Sequence, residues 1–452
     1  MRYMEYKKYF KDKKILMMGL GILGRGVNVA KFLSECGAEL TITDLKTEEQ
    51  LASSLKQLKK FSNIKYILGR HDQADFKDKD MIIKAAGVPL DSEYIEVARK
   101  NKIPVEMDAS LFVKLILTWT SDVQVVGITG TRGKSTVTHL IYEIIKSSGR
   151  RVFLGGNVRG MATLPLLKKI KNDDIVVMEL DSWQLQGFED GQISPNIAVF
   201  TTFLPDHQNY YKNDMDRYFS DKANVYRWQH ENDWLIAGQG AAKIIKEKDG
   251  QNVKGKMAII GKKIIPRGWK VKLLGEHNLN NIAFAVETAR KLGIKESAVR
   301  KMVENFKGLP GRLEFVREVK GVKFYNDTTA TTPEAVMAAL DSLKKYKGKI
   351  ILIGGGADKN LEYSKFTKVV KKFIKSLILF KGPASDKIIS TLGKTKFPVE
   401  VVDSMKKAMD IARFNAKKGD TVLLSPAAAS FGVFKNEFDR GEQFNKIVRK
   451  LK

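Results

Sequence analysis

Short runs of apolar residues recur along this chain, separated by polar stretches with helical periodicity. Lys14–Met18 and Ile175–Met178 are typical, apolar at almost every position rather than at alternate ones. Such runs mark strands covered on both faces, and their alternation with helical stretches predicts parallel, doubly wound sheets. Three α/β segments follow. The first has strands at Lys14–Met18 and Glu39–Thr43 around a helix at Asn28–Glu35. The second runs from Val123–Ile128 through Ile175–Met178 and Ile197–Phe200, and ends at Lys307-Gly308-Leu309-Pro310-Gly311, a Gly- and Pro-containing stretch read as a hinge. A third holds strands at Ile350–Ile353, Leu377–Phe380 and Thr421–Leu424. No internal repeat is visible.

Composition narrows the setting. Of 452 residues, 43% are hydrophobic, enough for more than one core. Cys36 is the only cysteine, which excludes an intramolecular disulfide and any cysteine-based zinc cluster. Met1 to Phe10 is charged and aromatic, without the apolar centre of a signal peptide. Leu111–Trp119 is apolar but interrupted by Lys114, and far too short to span a bilayer. A cytoplasmic protein that does not enter the membrane is expected. The net charge of +28 comes from lysines spread along the chain, with no recognised DNA- or RNA-binding motif. Nucleic acid is therefore not expected as the partner, and a positive field also suits an anionic nucleotide substrate.

Two loops carry candidate chemistry. The first strand enters Gly19-Leu20-Gly21-Ile22-Leu23-Gly24, where a helix N-terminus favours a diphosphate and Asp44, ending the next strand, can accept from a sugar hydroxyl. By itself this segment suits a dinucleotide cofactor, or a turn kept only for tight packing. After Val123–Ile128 comes Thr129-Gly130-Thr131-Arg132-Gly133-Lys134-Ser135-Thr136. Its backbone N–H groups can converge on phosphate, Lys134 adds charge, and the Ser135 hydroxyl can ligate Mg2+, so ATP binding is expected.

The second loop, with Gly127 and Ile128 before it, resembles the ATP loop of the Mur ligases and their folylpolyglutamate synthase relatives. Further segments match in order: Gly155-Gly156-Asn157; Glu179-Leu180-Asp181-Ser182-Trp183-Gln184; Asp206-His207, with Lys222 fifteen residues on; Gly275-Glu276-His277-Asn278 and Asn281; Gly308 to Arg312; Asn326-Asp327 to Thr331; Leu424 to Ser430; and Arg440-Gly441. The resemblance is strongest to the D-glutamate-adding branch and spans nearly the whole chain.

It implies three domains, at 1–113 (Rossmann-like), 114–308 (a P-loop ATPase-like parallel sheet) and 309–452 (Rossmann-like). The implied activity is ATP-dependent amide-bond formation between D-glutamate and UDP-N-acetylmuramoyl-L-alanine, by way of an acyl phosphate. Gly21, Ile22, Leu23, Asp44 and Asn157 would hold the UDP part, replacing the dinucleotide reading. Gly130 to Thr136, Asn281, Arg312 and Asp327 would contact ATP. Lys134, Glu179, His207 and Lys222 would be catalytic. Two Mg2+ ions would be held by Ser135, Glu179, His207 and a CO2-derived carbamate on Lys222. Thr331, Lys359 and Ser430 would take D-glutamate, and a monomer is implied.

From the residues alone, Lys222 reads as a solvated helix lysine, His277 and Asn278 as a helix cap, Lys359 as a surface lysine and Ser430 as a capping serine. Four positions depart from the branch: Arg132 for Asn, Asp181 for Ser, Thr329 for Lys and Glu437 for Phe. They bear on the substrate more than on the chemistry. A poly-γ-glutamate ligase with the same ATP chemistry is the second reading, and a nucleic-acid-binding P-loop protein the third.

Overall fold

A computed structural model of the chain describes residues 6–452 apart from 90, 121 and 159. The Met1 to Glu5 part of the N-terminal reading lies outside the described residues. The chain forms two compact units: residues up to Lys270 with Asn280–Glu304, and Val271–Leu279 with Asn305–Lys452.

The first unit holds two parallel sheets. One contains β1 (Lys14–Met18), β2 (Glu39–Asp44), β3 (Ile64–Leu68), β4 (Met81–Lys84) and β5 (Val105–Glu106), in the order β3-β2-β1-β4-β5. The other contains β6 (Gln124–Thr129), β7 (Val152–Gly156), β8 (Ile175–Glu179), β9 (Ile197–Phe200), β10 (Trp234–Gly238) and β11 (Lys256–Ile260), in the order β11-β10-β9-β6-β8-β7. All residues of β4, β8 and β9 are buried, as strands covered by helices on both faces must be. The apolar Leu111–Trp119 stretch ends the helix Asp108–Trp119, whose Phe112, Val113 and Ile116 belong to a core that both sheets share. Among the described residues no helix is long and apolar enough to cross a membrane.

The second unit has one mixed sheet: β12 (Glu314–Val319), β13 (Val322–Asn326), β14 (Ile350–Gly355), β15 (Ile374–Phe380), β16 (Val399–Val402) and β17 (Thr421–Leu424). Its order is β12-β13-β17-β14-β15-β16, with β12 antiparallel to β13 and the other pairs parallel.

Strand order reverses direction at β1/β4 in the first sheet and around β6 in the second. In open α/β sheets ligands collect beyond the carboxyl ends of strands at such points. Both glycine loops lie there. The helix read as Asn28–Glu35 starts earlier, at Arg25, and its first turn already buries Val27. The change of unit after Glu304 falls just before the Lys307–Gly311 stretch.

Candidate active site

The phosphate loop joins β6 to the helix Lys134–Ser147. Gly133 takes φ +89°, and a Cβ there would lie 2.5 Å from Asn281 Oδ1. That close approach brings Asn281, buried on the helix Glu276–Lys291, to the loop despite its distance in sequence. Thr131 is buried, and its hydroxyl is 3.0 Å from both Leu204 N and Leu204 O. Thr202 Oγ1 accepts from Arg132 N at 2.9 Å, and Thr201 Oγ1 donates to the Arg132 carbonyl at 2.6 Å. Thr136 is buried behind the loop, and Ser135 is partly exposed.

Two lysines converge on one carbonyl. Lys134 Nζ donates to Gly130 O at 2.9 Å, and Lys222 Nζ donates to the same oxygen at 3.0 Å. Lys222 is 1% exposed, on the helix Met215–Ala223, with its ammonium position 4.9 Å from the Tyr218 ring centre. Burial holds its pKa well below the ordinary lysine value, and Lys134 adds to the effect. The solvated-lysine alternative is thereby overturned, because the side chain is buried against the phosphate loop and the Tyr218 ring.

His207 sits at φ +52°, an uncommon conformation for a non-glycine residue, with its ring centre 4.9 Å from that of Trp183. Ring burial lowers its pKa; Asp206 opposes this, while Lys222 and Lys134 reinforce it. The neutral imidazole that results is the form that binds metals. Asp206 ties the segment to the loop, accepting from His207 N at 3.0 Å and from Arg132 Nη1 at 3.2 Å. Asp181, found where the family branch has Ser, caps the helix Ser182–Asp190 by accepting from Gln184 N at 2.8 Å. Asp and Ser cap equally well, so the local fold is kept.

Glu179 ends β8 beside β6 and is buried. With Ser135 and His207 it offers oxygen and imidazole donors of the kind Mg2+ accepts, alongside phosphate and water. No group of three or more His, Cys, Asp or Glu side chains among the described residues is gathered to hold a metal.

At the first glycine turn, Asp44 points inward. Its Oδ2 accepts from Leu20 N (2.9 Å) and Gly21 N (3.0 Å), and its Oδ1 from Lys46 N (2.9 Å). The carboxylate read as facing a sugar hydroxyl braces the turn in this structure, because two backbone N–H groups of the tight loop and that of Lys46 after β2 need an acceptor. Ile22 and Leu23 are exposed at the turn. Asn157 is exposed after β7, with its N–H on Glu179 O at 2.6 Å. Arg25, absent from the motif reading, donates to Gly156 O, Asn157 Oδ1 and Met161 O.

In the second unit the loops after β13, β14 and β17 are stitched together. Ala357 and Ala429 exchange backbone hydrogen bonds, and Ala427 N donates to Ala330 O. Lys359 Nζ donates to Thr331 Oγ1 at 3.0 Å, so two residues read as one ligand's contacts do meet. Ser430 is buried nearby in sequence to the Ala429 bridge. Asp327 accepts from Ser425 Oγ at 2.7 Å and Leu313 N at 2.9 Å; burial pushes its pKa up to about 7, with Arg312 opposing. Thr329, in place of Lys, donates to Gly311 O at 3.0 Å.

Arg440, fully buried, donates to Thr328 Oγ1 and Thr328 O, and burial pushes its pKa down to about 10. Glu437 opens the helix Glu437–Lys450; Asn436 caps the next two N–H groups, those of Phe438 and Asp439. His277 and Asn278 lie inside the first turn of Glu276–Lys291, and Asn278 donates back to Leu274 O, so the capping alternative does not hold. Burial lowers the His277 pKa.

Comparison with known proteins follows the order of these segments. Residues 13–106 match the Mur ligase MurD-like N-terminal domain, 128–289 the Mur ligase middle domain, and 311–428 the Mur ligase glutamate ligase domain. The UDP-N-acetylmuramoylalanine–D-glutamate ligase of Borreliella afzelii (strain PKo) is 37% identical over 98% of both chains. The enzyme of that name from Roseiflexus sp. (strain RS-1) is 34% identical over 96% of this chain and 98% of its own. Among solved structures, the MurF ligase of Thermotoga maritima in complex with ADP shares the fold at a TM-score of 0.61 and 19% identity, over 98% and 97% of the two chains. The MurC ligase of the same organism does so at 0.60 and 19%, over 97% and 99%. With three domain matches in order and relatives alike along almost their whole length, this chain belongs to the Mur ligase family.

Proposed function

We propose that this chain is an ATP-dependent ligase joining D-glutamate to UDP-N-acetylmuramoyl-L-alanine in peptidoglycan synthesis, releasing ADP and phosphate. The observation that carries the chemistry is the convergence of Lys134 and Lys222 on Gly130 O, with His207 electrostatically coupled to both. Acceptor and amino acid are supported by the names of relatives alike over the whole chain. On this reading residues 1–113 hold the UDP part, 114–308 ATP, and 309–452 the amino acid, in a cytoplasmic monomer.

The precursor's terminal carboxylate attacks the γ-phosphorus of ATP, and ADP leaves. The D-glutamate amine then attacks the acyl phosphate carbonyl, and phosphate leaves. Lys134 exchanges its loop carbonyls for phosphate oxygens, where its charge offsets the charge that develops. Asn281 and Thr136 support the loop, and Arg132 releases Asp206 to meet the nucleotide. Arg312 and Asp327 would also contact ATP. Ser135, Glu179, His207 and a carbamylated Lys222 would hold two Mg2+ ions, whose charge, when bound, neutralises the crowded oxygens.

Carbamylation needs an unprotonated amine. Burial favours that form of Lys222, so its nitrogen can bond to CO2 with loss of one proton, placing an anion at a position built around a lysine nitrogen. Lys359 with Thr331 would take the D-glutamate side-chain carboxylate, and Ser430 with the Glu437 N–H the α-carboxylate. Glu437 lies close enough to Arg440 to oppose the lowering of its pKa by burial, and this pairing of charges offsets part of the repulsion a free carboxylate would exert on an acidic substrate.

Phosphate release measured across UDP-linked precursors and a panel of amino acids tests the proposal. D-glutamate with UDP-N-acetylmuramoyl-L-alanine should be the productive pair. Release with a γ-glutamyl acceptor, and none with the UDP precursor, would favour the poly-γ-glutamate reading instead.

A further inference from the structure

Arg25 is the first residue of a helix whose N-cap, Gly24, supplies no side-chain cap. Its guanidinium reaches across to the second sheet. Nη2 donates to Gly156 O at 2.9 Å and Asn157 Oδ1 at 3.2 Å, and Nε donates to Met161 O at 3.1 Å. With the Gln184 amide turned to satisfy both ends, its oxygen accepts from Arg25 Nη1 at 3.1 Å and its nitrogen donates to Glu179 O at 3.2 Å. Each of these acceptors is neutral; the buried Asp108 carboxylate lies close enough to interact with the guanidinium but is not among its hydrogen-bond partners. One side chain therefore ties the exit of the first glycine turn to the Gly155-Gly156-Asn157 turn and to the helix that follows Glu179.

The gripped turn has little freedom of its own. Gly156 takes φ +74°, and a Cβ there would lie 2.1 Å from Glu179 O. Asn157 N is already bound to that oxygen at 2.6 Å. The remaining freedom is the orientation of the exposed Asn157 amide, and Arg25 holds it through Oδ1, leaving Nδ2 to donate elsewhere. Further along the helix, Asn28 Nδ2 donates to Gly160 O at 3.4 Å and Glu35 pairs with Lys168, so the first sheet's helix is held to the segment after β7 at three levels.

We propose that Arg25 is a positioning residue for the diphosphate of the nucleotide-linked substrate: it orients the Asn157 amide toward the open N-terminus of its own helix, so that two loops from different sheets form one anion site. This rests on the ligase reading above in taking the ligand to be a UDP derivative. An arginine fixed by carbonyls adds positive potential at the helix terminus where a diphosphate is already favoured. The competing account is that Arg25 merely joins two sheets, in which case its loss would loosen the whole unit and weaken every substrate alike.

The test uses the full-length wild type, Arg25→Ala and Arg25→Lys. UDP binding is measured by calorimetry without ATP, followed by steady-state kinetics in each substrate and by thermal unfolding. Arg25→Ala should weaken UDP binding and raise the precursor KM by roughly 10- to 100-fold, the range for losing charge-assisted hydrogen bonds. The KM values for ATP and D-glutamate should stay within about twofold. Added guanidinium should recover part of the precursor affinity in Arg25→Ala, and Arg25→Lys should fall between. A uniform rise in all three KM values with a lowered Tm, or UDP affinity unchanged in Arg25→Ala, would overturn the assignment. Should wild type bind UDP yet release no phosphate with any UDP precursor, the ligase reading fails, and the calorimetry still decides the role of Arg25.

Discussion

Lys222 shows how far a residue's meaning depends on what surrounds it. In sequence it is one lysine among many; in the structure it is enclosed, with a depressed pKa and its nitrogen on a phosphate-loop carbonyl. Lys222→Ala should be inactive, and acetate or formate should restore part of the rate, since a diffusible carboxylate can replace a carbamate. Rescue by methylamine and not by acetate would show that a cation is needed there. Asp327 makes a second residue-scale prediction. Its pKa is raised from 3.8 to about 7, so between those values the folded chain keeps a proton that the unfolded chain has lost. Stability contributed by this group is therefore lost as pH rises from about 4 to 7. Asp327→Asn, which preserves the shape, should flatten that part of a Tm-against-pH curve; an unchanged slope would remove the assignment. Lys359→Ala should raise the KM for D-glutamate far more than that for ATP, with L-glutamate a poor substrate throughout. Indifference of the D-glutamate KM would dismantle the proposed pocket.

Among elements, the phosphate loop was the most legible in the sequence because its chemistry is local: a buried strand, glycines, Lys134 and a helix in succession. Its fit to the rest of the molecule was not. Gly133 leaves just the space that the Asn281 side chain fills, and its φ of +89° is costly for any L side chain. Gly133→Ala should cost about 1–2 kcal/mol in strain. Nucleotide binding should fall with it, as the alanine methyl drives Asn281 off the loop. Calorimetry with ADP beside thermal unfolding checks this, and normal ADP affinity would show that the contact is dispensable. Left out of the sequence reading were edge and amphipathic strands and also three interior ones, β4, β10 and β13, whose short apolar runs were not singled out. β3 and β7 are only partly buried, and β12 is antiparallel at a sheet edge, so none has the continuous apolar run that marks a central strand. At the start of the Arg25 helix the glycine run of the turn, which continues to Gly26, hid both the boundary and Arg25 itself.

At the scale of the molecule, the charge of +28 is less even than a scan of the chain suggests. Between Leu343 and Lys381 there are eleven lysines against Asp358 and Glu362, a net charge of +9. Most of these lysines lie exposed on the helix Ser364–Phe373 and the Lys344–Lys349 stretch. A protein that used this charge to hold nucleic acid would bind mixed-sequence DNA with a steep loss of affinity as salt rises. A ligase with a lysine-rich solvated surface should show no DNA binding at physiological salt, measured by fluorescence anisotropy. Tight binding with such a slope would revive the nucleic-acid reading.

By itself, the sequence determined the fold class, the two glycine loops and the family, because buried parallel strands need apolar runs and phosphate loops need glycines at set intervals. Lys359 and Thr331 were paired only through the family resemblance; in the structure their side chains are in contact. Tertiary structure alone decided where side chains point and what they meet. Asp44 turned inward because backbone N–H groups in a tight loop must be satisfied, and Arg25 reached across two sheets. Lys222 became unlike the other lysines because burial, which no local pattern encodes, sets the energy of its charge.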